Sequence, residues 1–126
     1  GSGMVGNLPT PMDTLDFMML VKEKFGVKIL RHTTLVKDSI SRVAVCGGSG
    51  SFLLPQAIAS GSDVFVTADY KYHQFFDAEG KIIILDIGHF ESEQFTKDLL
   101  YRELSAKFTT FALRLSGIDT NPVKYF

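Results

Sequence analysis

Lys81-Ile82-Ile83-Ile84-Leu85-Asp86-Ile87-Gly88 is apolar at every position from 82 to 85 and again at 87. A strand with one wet face alternates apolar and polar side chains. An unbroken apolar run instead suits a strand covered on both faces, the situation of parallel strands flanked by helices. Upstream, Asp63-Val64-Phe65-Val66-Thr67-Ala68-Asp69 reads as a second buried strand, and Arg42-Val43-Ala44-Val45-Cys46 as a third. Residues 52–60 read as a helix between them, with Pro55 near the first turn, where its missing N–H costs little. Residues 70–78 read as a short helix ahead of the 81–88 strand. Strands alternating with helices predict an α/β fold: a layered, largely parallel sheet with helices on both faces.

Further out, residues 1–12 hold Gly1, Gly3, Gly6, Pro9 and Pro11 and read as an extended entry segment or linker. Asp13 is a good N-cap for a helix over 14–25, Asp16 suits its positive end, and Gly26 is a natural stop. A short strand is expected over 27–30, running into Arg31 and His32, and a turn over 36–41. Residues 89–108 read as the longest helix, with Phe95, Leu99, Leu104 and Phe108 on one face. Residues 111–115 alternate as a half-exposed edge strand would, and 117–126 form a polar turn and tail. Residues 13–126 are thus expected to be a single α/β domain.

The composition suits that reading. A chain of 126 residues with 45% hydrophobic and 21% charged side chains can bury a real core and is not disordered. Lys and Arg number 13 against 14 Asp and Glu, with no basic run, so no nucleic-acid footprint is present. The single cysteine, Cys46, excludes an internal disulfide framework and fits a reducing compartment. No apolar stretch is long enough to span a bilayer, and the first residues lack the pattern of a secretion signal. The expected location is the cytoplasm.

Three groups of residues could carry chemistry. His89 and Glu93 are four apart at the start of a predicted helix, so their side chains share a face and could chelate one divalent ion. The plainer reading is a capping histidine and acids favoured at a helix N-terminus. The loop Gly47-Gly48-Ser49-Gly50-Ser51 joins a strand to a helix. Its backbone N–H groups, at Gly48, Ser49 and Gly50, could hold an anion, or the loop could be a tight turn capped by Ser51. It matches neither a Walker A motif nor GxGxxG, since Leu53 takes the last glycine's place. Asp69, Lys71 and His73 follow a strand end, either as substrate-binding or ligand-orienting groups or as a capped helix start with a solvated lysine and histidine. Cys46 reads as a small core residue and His32 as a surface histidine.

Taken together, Gly1-Ser2-Gly3-Met4-Val5-Gly6-Asn7-Leu8, Val43 through Ser51, Val66-Thr67-Ala68-Asp69-Tyr70-Lys71-Tyr72-His73, Asp86-Ile87-Gly88-His89-Phe90-Glu91-Ser92-Glu93 and Asn121-Pro122-Val123-Lys124-Tyr125 resemble the C-terminal portion of the Ngg-interacting-factor-three-like family, the GTP cyclohydrolase I type 2 homologues. The resemblance covers nearly the whole chain. It implies a dinuclear metal-dependent hydrolase acting on a nucleotide such as GTP, with two divalent ions (Zn, Mn or Fe) and with His89 and Glu93 as metal ligands. It makes Asp69, Lys71, His73 and the 48–50 loop cleft residues. The family's other ligands come from an N-terminal half whose His-rich motif is not found in this sequence. The chain is therefore expected to be truncated, to be inactive alone, and to partner the N-terminal half of the same protein in a homo-oligomer. The alternative is a metal-binding regulatory or protein-interaction module without catalysis.

Overall fold

The computed structural model describes residues 2–126. It divides into two compact units, one running to Ser92 and one of Glu93–Phe126. The first holds strand β1 (Met4–Asp13), helix α1 (Thr14–Phe25), strands β2 (Arg31–His32) and β3 (Ser39–Ser49), helix α2 (Leu54–Ala59), strand β4 (Val64–Ala68), a 3-10 helix (Tyr72–Ala78) and strand β5 (Ile83–Asp86).

The five strands form one sheet in the order β1-β3-β4-β5-β2. The central three are parallel, with Val45 beside Val66 and Val66 beside Leu85. Both outer strands run antiparallel, β1 on β3 and β2 on β5. The parallel expectation thus holds for the centre and not for the edges. The two parallel pairs are joined by crossovers that carry α2 and the 3-10 helix.

The apolar runs sort by the two-residue period of a strand. On one face Val64, Val66, Ile83, Leu85 and Ile40 pack with Phe17 and Val21 of α1. On the other Phe65, Ile82, Ile84 and Ala44 pack with Leu54 and Ala57 of α2 and Ala78 of the 3-10 helix. Helices therefore cover both faces, and Ile82 through Leu85 are fully buried. Each such side chain contributes about 1.5–3 kcal/mol by leaving water.

Helix α1 keeps its expected limits. The Asp13 carboxylate accepts the N–H groups of Leu15 and Asp16 at 2.8 and 3.3 Å, and Gly26 takes a left-handed φ of 65°. Of the strand expected over 27–30 and running into Arg31 and His32, only Arg31–His32 forms. Val27 instead closes the helix end: its N–H donates to the Lys22 carbonyl at 3.0 Å and its side chain joins the core. The segment expected to be a linker is mostly strand β1. Its glycines and prolines mark an edge strand with a register break between Asn7 and Met12, where Pro9 and Pro11 have no N–H to give. Gly47, Gly48 and Ser49, expected as loop, belong to the end of β3 beyond a second register break.

Helix α3 (His89–Glu93) ends at the first residue of the second unit, which holds helix α4 (Thr96–Lys107). The single helix expected over 89–108 is thus two. The Phe95 carbonyl accepts the N–H groups of both Asp98 and Leu99 at 3.1 Å and so starts a new helix. The supposed inner face of α4 is exposed, with Leu99, Leu104 and Phe108 between 40% and 48% accessible. No strand forms over 111–115. Phe111 turns back, its N–H on the Phe108 carbonyl and its ring 5.7 Å from that of Phe108, and finds no ladder to join. Among the described residues no helix is long and apolar enough to cross a membrane.

Asp63, at the entrance to β4, ties β3 to β4. Its carboxylate accepts the N–H groups of Ser41 and Arg42, each at 2.9 Å, with the Lys37 ammonium at 3.6 Å. Burial pushes its pKa up, but the Arg42 and Ser41 N–H groups and Lys37 outweigh that and hold it below the ordinary aspartate range. A depressed folded pKa contributes stability that is present above the unfolded value, near 3.8, and is lost as pH falls through the folded one. Asp63→Asn is therefore expected to lower stability at pH 7 by about 1–3 kcal/mol. Urea unfolding at pH 7 and pH 3 should show that gap shrink in acid, and an equal gap at both would contradict this account.

Candidate functional site

Parallel strands gather functional groups at their carboxyl ends. Here β3 ends at Ser49, β4 just before Asp69, and β5 at Asp86, with His89 opening α3. Three of the residues singled out in the sequence meet there. The Asp69 carboxylate accepts the Ser49 hydroxyl at 2.5 Å and lies 2.6 Å from Nδ1 of His89. Asp69 adopts a left-handed φ of 60°, a conformation tolerated by aspartate more than by most residues, and this turns its side chain out of the strand path. The Ser49 hydroxyl first and the His89 ring second hold its carboxyl below the ordinary range against the effect of burial, and the Arg31 charge adds to this.

A second set of bonds fixes the start of α3. The Gly48 N–H donates to Ser92 Oγ at 2.8 Å, and that hydroxyl donates to the His89 carbonyl at 2.8 Å. Gly48 holds a φ of 64°, which glycine adopts without strain. The Gly48 N–H, counted as an anion-binding donor in the sequence, thus bonds within the protein. Gly50 is a close-packing position. A Cβ there would meet Thr67 Oγ1 at 2.3 Å and Cys46 Cβ at 2.9 Å. Lys71 and His73 stand outside the Ser49–Asp69–His89 chain, exposed around the start of the 3-10 helix. Glu93 lies four residues after His89, at the end of α3.

Sequence reasoning passed over Arg31 and Asp86. Asp86 is 4% exposed and forms an ion pair with Arg31. It also accepts the Tyr70 N–H at 2.9 Å and the Gly88 N–H at 3.1 Å, and Arg31 reaches the Tyr70 carbonyl at 2.8 Å. The available signal was the one acid inside the apolar 82–87 run, because a buried carboxylate demands a cation.

A histidine backed by a carboxylate is the arrangement that orients imidazoles toward metal ions. Imidazole and carboxylate donors suit Zn, Mn or Fe. Among the described residues, however, no group of three or more His, Cys, Asp or Glu side chains is placed to hold an ion.

Residues 1–122 match the family model described as Duf34/NIF3 (NGG1p interacting factor 3). A Staphylococcus epidermidis protein named GTP cyclohydrolase 1 type 2 homolog is 33% identical over 99% of the chain, and a Campylobacter jejuni protein of the same name is 36% identical over 84%. The chain spans 35% and 42% of those two relatives. Among solved structures, a Bacillus cereus protein related to NIF3 superposes with a TM-score of 0.82 at 32% identity, covering the whole chain and 36% of that protein. A Staphylococcus aureus protein gives 0.82 at 29% identity, over 98% of the chain and 42% of that protein.

Gly50→Ala is expected to destabilise the fold by about 1–3 kcal/mol, the cost of overpacking a tight site. Thermal unfolding should show a lowered Tm, and an unchanged Tm would mean that Thr67 and Cys46 yield freely.

Proposed function

The chain belongs to the Duf34/NIF3 family, and from that premise we propose that it is the C-terminal portion of a dinuclear metal-dependent hydrolase acting on a nucleotide such as GTP. The observation that carries the reading is the 2.6 Å contact between Asp69 and Nδ1 of His89 at the carboxyl end of the parallel strands. With Nδ1 donating to Asp69, Nε2 keeps the lone pair that a metal takes. Ser49 fixes Asp69, and Ser92 fixes the backbone of His89, so the ring is held before any ion arrives. Glu93 is the second ligand by the family resemblance and the four-residue spacing. The ions that His89 and Glu93 would help to hold would supply an activated water and electrostatic stabilisation for hydrolysis of a ring amide or phosphate.

The remaining ligands would come from the part of the protein beyond the 35% that this chain matches in its relatives. That part is the partner the reading requires, in a homo-oligomer and in the cytoplasm. Lys71, His73 and the 48–50 turn form the rim of the cleft, where Lys71 suits a substrate phosphate. One observation favours a second reading, a regulatory or interaction module: α4 exposes Leu99, Leu100 and Leu104 together, as an assembly surface would.

Metal analysis of the full-length protein, purified without chelator, should find close to two ions per chain and fewer in Glu93→Ala. Asp69→Ala should weaken metal affinity about 10–100-fold, the usual effect of losing an orienting partner. The 126-residue chain alone should show no nucleotide turnover. Absence of metal from the full-length protein would sink the hydrolase reading. A His89→Ala variant that loses turnover but keeps its assembly separates the hydrolase from the interaction module.

A further inference from the structure

The first unit has a groove of about 680 Å³ between β2 and the 3-10 helix Tyr72–Ala78, with Arg31 in its wall. We propose that this groove seats the planar base of a purine-type substrate, placing its reacting part toward the strand ends; the idea rests on the nucleotide-directed reading above. The volume lies within the range of small-molecule sites.

Three aromatic rings line it. Tyr72 and Phe76 are 81% and 67% exposed and stand edge to face, 5.6 Å between centroids. Two large exposed rings on one short helix each offer an aromatic face on which a base can stack whatever its sequence context. Phe75, half-buried behind them, carries the Arg31 guanidinium over its face at 5.3 Å.

Arg31 makes the groove more than an apolar slot. Its bonds to Asp86 and to the Tyr70 carbonyl hold it in place at the groove wall. A fixed guanidinium offers N–H donors in the plane where a purine presents its ring nitrogen and carbonyl acceptors. Glu79, also in the groove lining and paired with Lys81, adds a carboxylate acceptor suited to the N–H edge of a guanine-type base. A donor fork, an acceptor and aromatic faces together describe a heteroaromatic ring better than an aliphatic chain, which would leave Arg31 and Glu79 unmatched.

The same Arg31–Asp86 pair links groove and site. Asp86 also holds the Gly88 N–H, one residue before His89. A base in the groove therefore lies next to the segment that positions the imidazole.

Guanosine, which has no phosphate to bind metal, is the probe. Titrated into the 126-residue chain and followed by amide NMR shifts, it should bind saturably, moving Thr33, Thr34, Phe75 and Gly80. Tyr72→Ala and Phe76→Ala should each weaken binding by about tenfold or more, the effect of losing one stacking face. Both side chains are exposed, so the variants should keep the wild-type circular dichroism. No saturable binding at millimolar guanosine, shifts located elsewhere, or unweakened binding in both aromatic variants would each overturn the proposal. So would a groove that serves self-association, seen as a wild-type dimer that Tyr72→Ala dissociates and guanosine leaves unchanged. The two readings fail separately. In the full-length protein, turnover with an unaltered KM in Tyr72→Ala removes the groove and keeps the hydrolase. Guanosine binding without bound metal or turnover keeps the groove and removes the hydrolase.

Discussion

A buried carboxylate must be matched by charge and hydrogen bonds, and Asp86 sets that condition for the carboxyl end of this sheet. Its partners come from three separate parts of the chain: Arg31 of β2, the Tyr70 backbone after β4 and the Gly88 backbone before α3. Satisfying Asp86 therefore fixes the antiparallel docking of a two-residue strand, the path of the chain leaving β4, and the takeoff of the segment that bears His89. Removing Arg31 alone would leave an unmatched charge in the core, a worse state than an apolar pair in the same place.

The centre of the fold was legible because it obeys local rules. The apolar runs at 64–68 and 82–87 became buried parallel strands. Asp13 and Gly26, read as cap and stop, bound α1 as expected. The edges were illegible for the opposite reason. An edge strand is defined by its neighbour, so β1 looked like a linker and β2 is too short to leave a pattern. The 111–115 alternation suggested a strand, but pattern alone cannot supply the hydrogen-bonding partner that a strand needs. In the candidate site, His89 and Asp69 were picked out separately. Their contact depends on the positive φ of Asp69, which residue type permits but does not announce.

The glycine-rich stretch shows how one composition can answer two different needs. Read as a motif, Gly47 to Ser51 suggested donors for an anion. In three dimensions Gly48 supplies a left-handed turn whose N–H is held by Ser92, and Gly50 lets the chain leaving β3 pass close to Thr67 and to Cys46 of β3 itself. Ser49 between them carries the functional contact, to Asp69. The glycines bring the serine to its place.

The register break in β1 has a further effect. A sheet edge with a full row of N–H and C=O groups invites a strand from another molecule, and such pairing seeds aggregation. Along the middle of β1 the ladder is interrupted between Asn7 and Met12, and Pro9 and Pro11 contribute no donors there. An incoming strand would find anchorage at the two ends of β1 and none between them. The prolines that helped this segment read as an entry segment or linker thus also withhold donors along an edge strand, which discourages growth by strand addition there.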